Sequence, residues 1–287
     1  MHIYPVSKQL KHCAFFAIIF ALIFSGFNFS AVAADAPKAA SRLRFSVVRT
    51  LPHNTSHYTE GLVFHDGKIY ESAGRYGSSG IYEKELLTGR ILRKRANSAR
   101  YFAEGLAISD NQIIQLTWRE YTAFTYDLSF RPLSQLHYDT EGWGLTSLNH
   151  SKQLIMSDGS SRLHFLDSTD FHELRQITVH DGAHAIPMLN ELEEADGLIY
   201  ANVWLTDLIA VIEPSEGRVL AWLDLSSLKA SFIKPAGWDE REDVLNGIAY
   251  DPESRHFFVT GKCWPVMFEL TIERETLMPQ PGAATPQ

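Results

Sequence analysis

Hydrophobic and polar residues alternate with a period of two along many short segments of this chain. The segments KIYESAG, QIIQLTW, QLIMSDG, LIYANVW and HFFVTGK are rich in Ile, Val, Tyr and Phe, which favour strands. Turn sequences such as Asp66-Gly67 and Asp196-Gly197 lie between consecutive predicted strands. One helical candidate lies at residues 225–232. The pattern predicts an all-β protein.

A similar unit recurs five times along the chain. Each copy has a short motif before a first apolar strand, then a turn and a second apolar strand, and the copies begin YTEGLVF, YFAEGLAI, GWGLTSL, LNELEEADG and LNGIAYD. Their alignment gives intervals of 44, 39, 47 and 56 residues. Periods of about 40–50 residues with several strands per repeat are typical of propeller blades. One position is shared by all copies and is occupied by Glu60, Glu104, Trp143, Asn190 and Asn246.

The repeat number and the ends of the chain predict a five-bladed β-propeller closed by an amino-terminal strand. The fifth copy runs out of chain after its third strand, whereas residues 43–51 form a spare strand before the first copy. We expect this strand to complete the blade of residues 245–272, because closure removes a free sheet edge. Residues 226–243 are interpreted as an inserted loop. Six blades would need repeats nearer 40 residues throughout.

The amino terminus has the pattern of a secretory signal peptide. Lys8 and Lys11 precede an apolar run over residues 13–29, and Ala31-Val32-Ala33 is a small-residue cleavage site. A transmembrane anchor is the alternative for such a run, but its polar residues and the cleavage site favour removal. We therefore expect residues 1–33 to be removed, residues 34–287 to form one domain without a stable membrane anchor, and the protein to be periplasmic or secreted.

Charge and cysteine content narrow the class of protein further. The formal net charge is −8, and no basic run is present, which argues against nucleic acid as a partner. Of the two cysteines, Cys13 lies in the predicted signal peptide and Cys263 remains. The mature chain is thus expected to lack an intramolecular disulfide, so that its stability depends on a hydrophobic core.

Equivalent positions of the repeats converge on the axis of a propeller and predict a polar, aromatic pocket there. A second shared position closes the second strand of each copy and holds Gly74, Trp118, Gly159, Trp204 and Lys262. Tryptophan faces attract cations and exclude water. Two carboxylates in one dry site cannot both ionise cheaply, so the pKa of one rises towards neutrality, as general acid–base catalysis requires. We expect no metal, because His53 and His57 near Glu60 lie in a segment without the helical pattern that would place both on one face.

The sequence resembles the plant-type and bacterial glutaminyl-peptide cyclotransferases. The resemblance is carried by ESAGRYGSSGIYEKELLTGRILRKR, FAEGLA, LTW, GWGLT, MSDGSSRLHFLD, LNELEEADGLIYANVWLTD, LNGIAYD and VTGKCWP, which together span nearly all of the mature chain. It implies a five-bladed propeller that needs no metal or cofactor. The partners that the resemblance implies are peptides or proteins with an amino-terminal glutamine. The family converts this glutamine to pyroglutamate and releases ammonia.

The resemblance also implies roles for individual residues. Glu104 is similar to the essential acid–base carboxylate of that family, and Asn190 and Lys262 resemble its polar anchors, one of which would stabilise the oxyanion. Glu60 departs from the family, whose first motif commonly has Gln there, and it would contact the substrate amine or raise the pKa of Glu104. The remaining substrate contacts are an aromatic box made of Trp118, Trp143 and Trp204.

Two other functions remain open on the sequence alone. A calcium-dependent, lactonase-like propeller would use the axial carboxylates and amides as oxygen ligands. A non-catalytic propeller would use the same pocket to bind a peptide. The oligomeric state is left open.

Overall fold

The computed structural model describes residues 40–148, 152–274 and 277. These residues lie within the compact unit Pro37–Gln287 and form a five-bladed β-propeller, as predicted. The predicted signal peptide lies outside the described residues, so its cleavage stays a prediction. Within the described ranges, no helix is long and apolar enough to cross a membrane.

Five antiparallel sheets form the blades, and each blade runs from an innermost to an outermost strand. Two strands precede the first blade: β1 (Ser41–Leu43) and β2 (Phe45–Pro52). Blade 1 contains β3 (Tyr58–His65), β4 (Lys68–Gly74), β5 (Gly80–Glu85) and β6 (Ile91–Ala96). Blade 2 contains β7 (Ala103–Ser109), β8 (Gln112–Thr117), β9 (Thr122–Asp127) and β10 (Pro132–His137). Blade 3 contains β11 (Leu145–Ser147), β12 (Gln153–Ser157), β13 (Arg162–Asp167) and β14 (Glu173–Thr178).

Two extra elements accompany the last two blades: a hairpin before blade 4, and an inserted segment between blades 4 and 5. A hairpin of β15 (His180–Asp181) and β16 (His184–Ala185) precedes blade 4. Blade 4 contains β17 (Leu189–Ala195), β18 (Leu198–Val203), β19 (Leu208–Ile212) and β20 (Val219–Asp224). The inserted segment begins with the helix α1 (Ser226–Lys229), which lies inside the predicted helical stretch. Blade 5 contains β21 (Leu245–Asp251), β22 (His256–Gly261) and β23 (Val266–Ile272).

The amino-terminal strand closes the ring as the sequence predicted. Strand β2 pairs antiparallel with β23, with Phe45 opposite Ile272 and Pro52 opposite Val266. The short strand β1 was not predicted, and it pairs parallel to β20 at the outer edge of blade 4, with Ser41 opposite Ala221. The start of the described chain therefore ties blade 4 to blade 5 before it leads into blade 1.

The hydrophobic core is divided among the interfaces between neighbouring blades. Five buried clusters occur, one for each pair of adjacent blades. The cluster that joins blades 5 and 1 includes Leu51 of β2 beside Leu62 and Phe258, so the closing strand contributes to the core. Since each blade is packed on two neighbours, the ring is held by apolar burial on every side.

Glycines allow the innermost strands to approach one another closely at the axis. In four repeats the shared axial residue is followed by Gly61, Gly105, Gly144 or Gly247. A Cβ atom on Gly105 would lie 2.5 Å from the amide nitrogen of Leu145, and one on Gly144 would lie 2.1 Å from the carbonyl oxygen of Asn190. A side chain at these positions would therefore push neighbouring blades apart.

The fourth copy places a glutamate where the other four copies have glycine. Glu191 of blade 4 is fully buried, and its carboxylate reaches across to two other blades. The amide of Leu62 donates to Oε1 at 3.1 Å, and the amide of Ile248 donates to Oε2 at 2.7 Å. Burial raises the pKa of Glu191 well above its ordinary value, against the lowering effect of these two hydrogen bonds. One side chain thus links blades 1, 4 and 5 on the axis.

We predict that Glu191→Met destabilises the protein. The side-chain volume is retained, but the amides of Leu62 and Ile248 lose their acceptor. Buried unsatisfied donors cost about 1–3 kcal/mol each, so we expect the loss of two acceptors to lower the free energy of unfolding by roughly 2–6 kcal/mol. Urea denaturation measures it, with the exposed Glu216→Met as the control. Equal unfolding midpoints for the two variants would contradict the linking role of Glu191.

Candidate active site

Bulges in the innermost strands turn the shared residues towards the axis. In four blades the pairing with the second strand shifts at the shared position, so one or two residues are unpaired. In β7 the shift falls between Ala103 and Leu106 and leaves Glu104 and Gly105 between the two pairs. Bulges commonly redirect a side chain next to an active site. The same local irregularity therefore presents Glu60, Glu104, Asn190 and Asn246 near the axis.

The predicted site residues meet in one cavity of about 290 Å³ at the end of the ring where the innermost strands begin. Its lining includes all seven residues expected from the sequence: Glu60, Glu104, Trp118, Trp143, Asn190, Trp204 and Lys262. Four further lining residues were not predicted: Tyr58, Arg75, Phe102 and Glu242. A larger cavity of about 460 Å³ is lined by the other ends of the same strands and contains none of the predicted residues.

A buried ion pair and a second carboxyl group form the floor of the cavity. Lys262 Nζ donates to Glu60 Oε1 at 2.7 Å, and Asn246 Nδ2 donates to Glu60 Oε2 at 3.2 Å. The carboxyl groups of Glu60 and Glu104 are also hydrogen-bonded to each other. The exposed fractions of Glu60, Glu104 and Lys262 are 1%, 6% and 4%. This floor is therefore shielded from bulk water.

The environment makes Glu104 the weaker acid of the two. Burial first, and then the charge of Glu60, raise the pKa of Glu104 well above its ordinary value. Burial also raises the pKa of Glu60, but the ammonium of Lys262 acts in the opposite direction. The bond between the two carboxyl groups stabilises the ionised form of Glu60 and the protonated form of Glu104. Of the two carboxyl groups, Glu104 is thus the one that is more readily protonated.

A glutamate that was not predicted orients two walls of the aromatic box. The indole N–H groups of Trp118 and Trp143 both donate to Glu141 Oε2, at 2.8 and 3.1 Å. Arg119 Nε donates to the other carboxylate oxygen at 2.9 Å, and its guanidinium lies 3.7 Å from the centroid of the Trp118 ring. Burial raises the pKa of Glu141, but these hydrogen bonds outweigh it and the pKa is lowered. Glu141 is therefore an anionic bridge that fixes both rings.

The third wall is set by packing rather than by a hydrogen bond. The rings of Trp143 and Trp204 meet edge to face, with centroids 5.5 Å apart. Gly159 lies against Trp143, since a Cβ atom there would be 2.5 Å from an indole carbon. Gly74 plays the same part in blade 1, where a Cβ atom would be 2.4 Å from the ring of Phe102. The glycines at the second shared position thus leave room for aromatic rings.

Two polar atoms of the cavity residues are buried and have no hydrogen-bond partner. They are Oδ1 of Asn190 and Nε1 of Trp204. One is an acceptor and the other is a donor. Buried polar groups are normally paired, and an exception in a cavity indicates a place for a ligand group.

The sequence contained a signal for three of the missed residues. Tyr58, Phe102 and Glu141 each lie two positions before a shared axial residue, the spacing that would put them on the same face of a continuous strand. In the structure only Tyr58 of these three lies in a strand. Tyr58 stacks beneath Lys262 at 4.5 Å and donates to Glu242 at 2.6 Å. Glu242 comes from the inserted segment, so no repeat pattern pointed to it.

The histidines considered for a metal clip have another partner. His53 Nε2 and His57 Nδ1 contact the two oxygens of Glu71 at 3.0 and 2.9 Å, and Lys84 forms an ion pair with the same carboxylate. Burial would raise the pKa of Glu71, but these groups hold it well below its ordinary value. This cluster lies in blade 1 and in the segment that leads into it, and none of its four residues lines the cavity.

We predict that Gly159→Ala disturbs the aromatic box. The matched control is Gly182→Ala, because both glycines have positive φ, at +78° and +59°, but a Cβ atom on Gly182 would meet nothing within 4 Å. Both variants carry the left-handed backbone cost of about 1–2 kcal/mol. Displacement of Trp143 should cost Gly159→Ala a further 1–3 kcal/mol or so. Urea denaturation and near-ultraviolet circular dichroism measure the effect, and identical results for the two variants would contradict it.

Comparison with known proteins agrees with this geometry. The sequence matches the glutamine cyclotransferase family over residues 19–272. A glutaminyl-peptide cyclotransferase of Arabidopsis thaliana is 37% identical over 235 residues, which cover 79% of this chain and 71% of that protein. The crystal structure of Myxococcus xanthus glutaminyl cyclase is similar with a TM-score of 0.74 at 33% identity, covering 82% of this chain and 98% of that chain. The chain therefore belongs to the glutamine cyclotransferase family.

Proposed function

We propose that this protein converts the amino-terminal glutamine of peptides to pyroglutamate with release of ammonia. The observation that carries the proposal is Glu104, a buried carboxyl group with a raised pKa on the floor of a tryptophan-lined cavity. Membership of the family supports the same reaction. The site offers the group that this chemistry needs, at the place where a small side chain can be enclosed.

The reaction is an intramolecular acyl transfer. The substrate α-amine attacks its own γ-carboxamide carbon, so a bond from this carbon to the α-nitrogen forms and the bond to the amide nitrogen breaks. The attacking nitrogen loses one proton, and the departing nitrogen gains one. No proton is consumed overall, and one carboxyl group can carry out both transfers.

Glu104 enters this reaction in its protonated form. Its proton passes from one carboxyl oxygen to the departing nitrogen, while the other oxygen takes the proton of the attacking amine. The carboxyl group is protonated again at the end. Glu60 and Lys262 support this role, because the negative charge of Glu60 raises the pKa of Glu104 and the ammonium of Lys262 favours the ionised form of Glu60 against the effect of burial on its pKa.

The unpartnered atoms of the cavity fit the two halves of a carboxamide. Nε1 of Trp204 donates to the carboxamide oxygen, on which negative charge develops during attack, and Oδ1 of Asn190 accepts from the carboxamide nitrogen. Glutamate in place of glutamine would bring a second oxygen against Oδ1 of Asn190 and leave that acceptor unpaired. Trp118 and Trp143 enclose the folded side chain, which brings the amine close to the carbon that it attacks.

The contacts of Glu60 count against a calcium-dependent, lactonase-like function. Its two carboxylate oxygens accept from Lys262 and Asn246, and the ammonium already supplies a positive charge at the floor. We expect ammonia release to survive prolonged dialysis against EDTA. Loss of activity that calcium restores would favour the lactonase-like alternative.

We predict that Glu104→Gln lowers kcat about 10²–10⁴-fold, the usual contribution of a general acid–base. Glutamine keeps the shape of the side chain but cannot transfer the proton. Ammonia release from a glutaminyl dipeptide measures the effect. The control is Glu193→Gln, another axial carboxyl with a raised pKa, which lines the opposite cavity. The assignment is wrong if Glu104→Gln stays within about threefold of the control.

Glu60→Gln tests the coupling of the two carboxyl groups. Because the charge of Glu60 raises the pKa of Glu104, its removal should lower that pKa. Protonated Glu104 is then lost at a lower pH, so the alkaline limb of the kcat profile should move to lower pH, while substantial activity remains. An unmoved limb would show that Glu60 does not set the protonation of Glu104.

Export is a separate proposal. It rests on residues 1–33, which have the signal-peptide pattern described above. Amino-terminal sequencing of the protein from the exported fraction tests it, with a new terminus after Ala33 or Ala34 as the expected result.

A further inference from the structure

Arg75 stands at the mouth of the cavity without an acidic partner. It follows Gly74 at the end of β4, lines the cavity and is exposed. Its guanidinium lies 4.6 Å from the centroid of the Tyr58 ring, and Nη2 lies 3.7 Å from Cys263 Sγ. Among the described residues, no carboxylate lies within ion-pair distance of it. Its charge is thus held in place and is available to a ligand.

The backbone of Arg75 is held in an unusual conformation. Its φ is 126°, a region that side-chain-bearing residues rarely adopt. Its carbonyl oxygen accepts from the Ser78 amide at 3.1 Å and from Ser79 Oγ at 2.8 Å. The hydroxyl of Tyr76, the next residue, donates to Glu120 of blade 2 at 2.9 Å. Strain of this kind persists where the surroundings enforce it, and it concentrates at functional sites.

We propose that Arg75 binds a carboxylate of the residue that follows the amino-terminal glutamine of the substrate. This inference rests on the proposed function. With the glutamine enclosed near Glu104, the peptide leaves through the mouth, and its second residue passes Arg75, which is an exposed residue of the lining. The planar guanidinium fits a carboxylate with two parallel hydrogen bonds. The carboxylate is the side chain of an acidic second residue or, in a dipeptide, the carboxyl terminus.

Glu242 is the group of opposite charge at the same mouth. Its carboxylate already accepts a hydrogen bond from the hydroxyl of Tyr58 at 2.6 Å. Among the described residues, the guanidinium of Arg75 has only the face of the Tyr58 ring and a weak contact with the sulfur of Cys263. The arginine is therefore the less satisfied of the two charges. For this reason we assign the selection to Arg75 and expect an acidic rather than a basic preference.

The experiment compares kcat/KM for four peptides: Gln-Gly-Gly-amide, Gln-Glu-Gly-amide, Gln-Lys-Gly-amide and the dipeptide Gln-Gly. For the wild type we expect the Glu peptide or the dipeptide to exceed Gln-Gly-Gly-amide about two- to fivefold, the range that an exposed charge pair supplies. Which of the two is favoured identifies the carboxylate as side chain or terminus. The preference should fall as salt is added, because exposed charges are screened.

Arg75→Met should reduce this preference to a ratio near one. The control is Arg241→Met, which removes an exposed positive charge from the inserted segment next to Glu242 and should retain the preference. A wild-type ratio near one, a ratio that survives Arg75→Met, or faster turnover of the Lys peptide overturns the inference alone. Release of ammonia from none of the four peptides overturns the proposed function as well.

Discussion

The close approach of five strands at one axis is the constraint on which the rest of the structure depends. Glycine after the shared residue in four repeats lets backbone lie against backbone, with no room for a Cβ atom at Gly105 or Gly144. In the remaining repeat, the carboxylate of Glu191 accepts hydrogen bonds from one backbone amide of blade 1 and one of blade 5. The same arrangement brings the preceding residues together at one end of the ring, so that the contact that closes the fold also assembles the site.

Charge burial at that end decides the chemistry. A single ammonium, Lys262, lies among the carboxyl groups of Glu60 and Glu104, and it contacts Glu60 directly. The ammonium acts against the effect of burial on the pKa of Glu60, whereas the pKa of Glu104 is raised well above its ordinary value by burial and by the charge of Glu60. The tryptophan walls contribute by excluding water, which strengthens both effects. A proton donor is thus available inside a cavity that admits a small polar side chain.

The sequence predicted the repeat, the ring closure and seven lining residues, because equivalent positions in a propeller converge in space. It missed Tyr58, Phe102 and Glu141, although each lies two positions before a shared residue, a recurring spacing that marks them as neighbours of the axis. Glu242 lies in the inserted segment, where no repeat constrains position. The role of Arg75 depends on its backbone conformation, which no sequence motif marks. Strand β1 is only three residues long, too short to show an alternation of polar and apolar residues. The need for glycine at positions 74 and 159 is seen only in the structure, where aromatic rings pack against both residues.

We expect Glu104 to carry a proton in the free protein near neutral pH. An infrared difference spectrum between the wild type and Glu104→Gln at neutral pH tests it most directly. The wild type should show the carbonyl band of a protonated carboxyl group, and this band should be lost in the variant. Loss of a carboxylate band instead, with no carboxylic acid band, would show that Glu104 is ionised and would contradict the account.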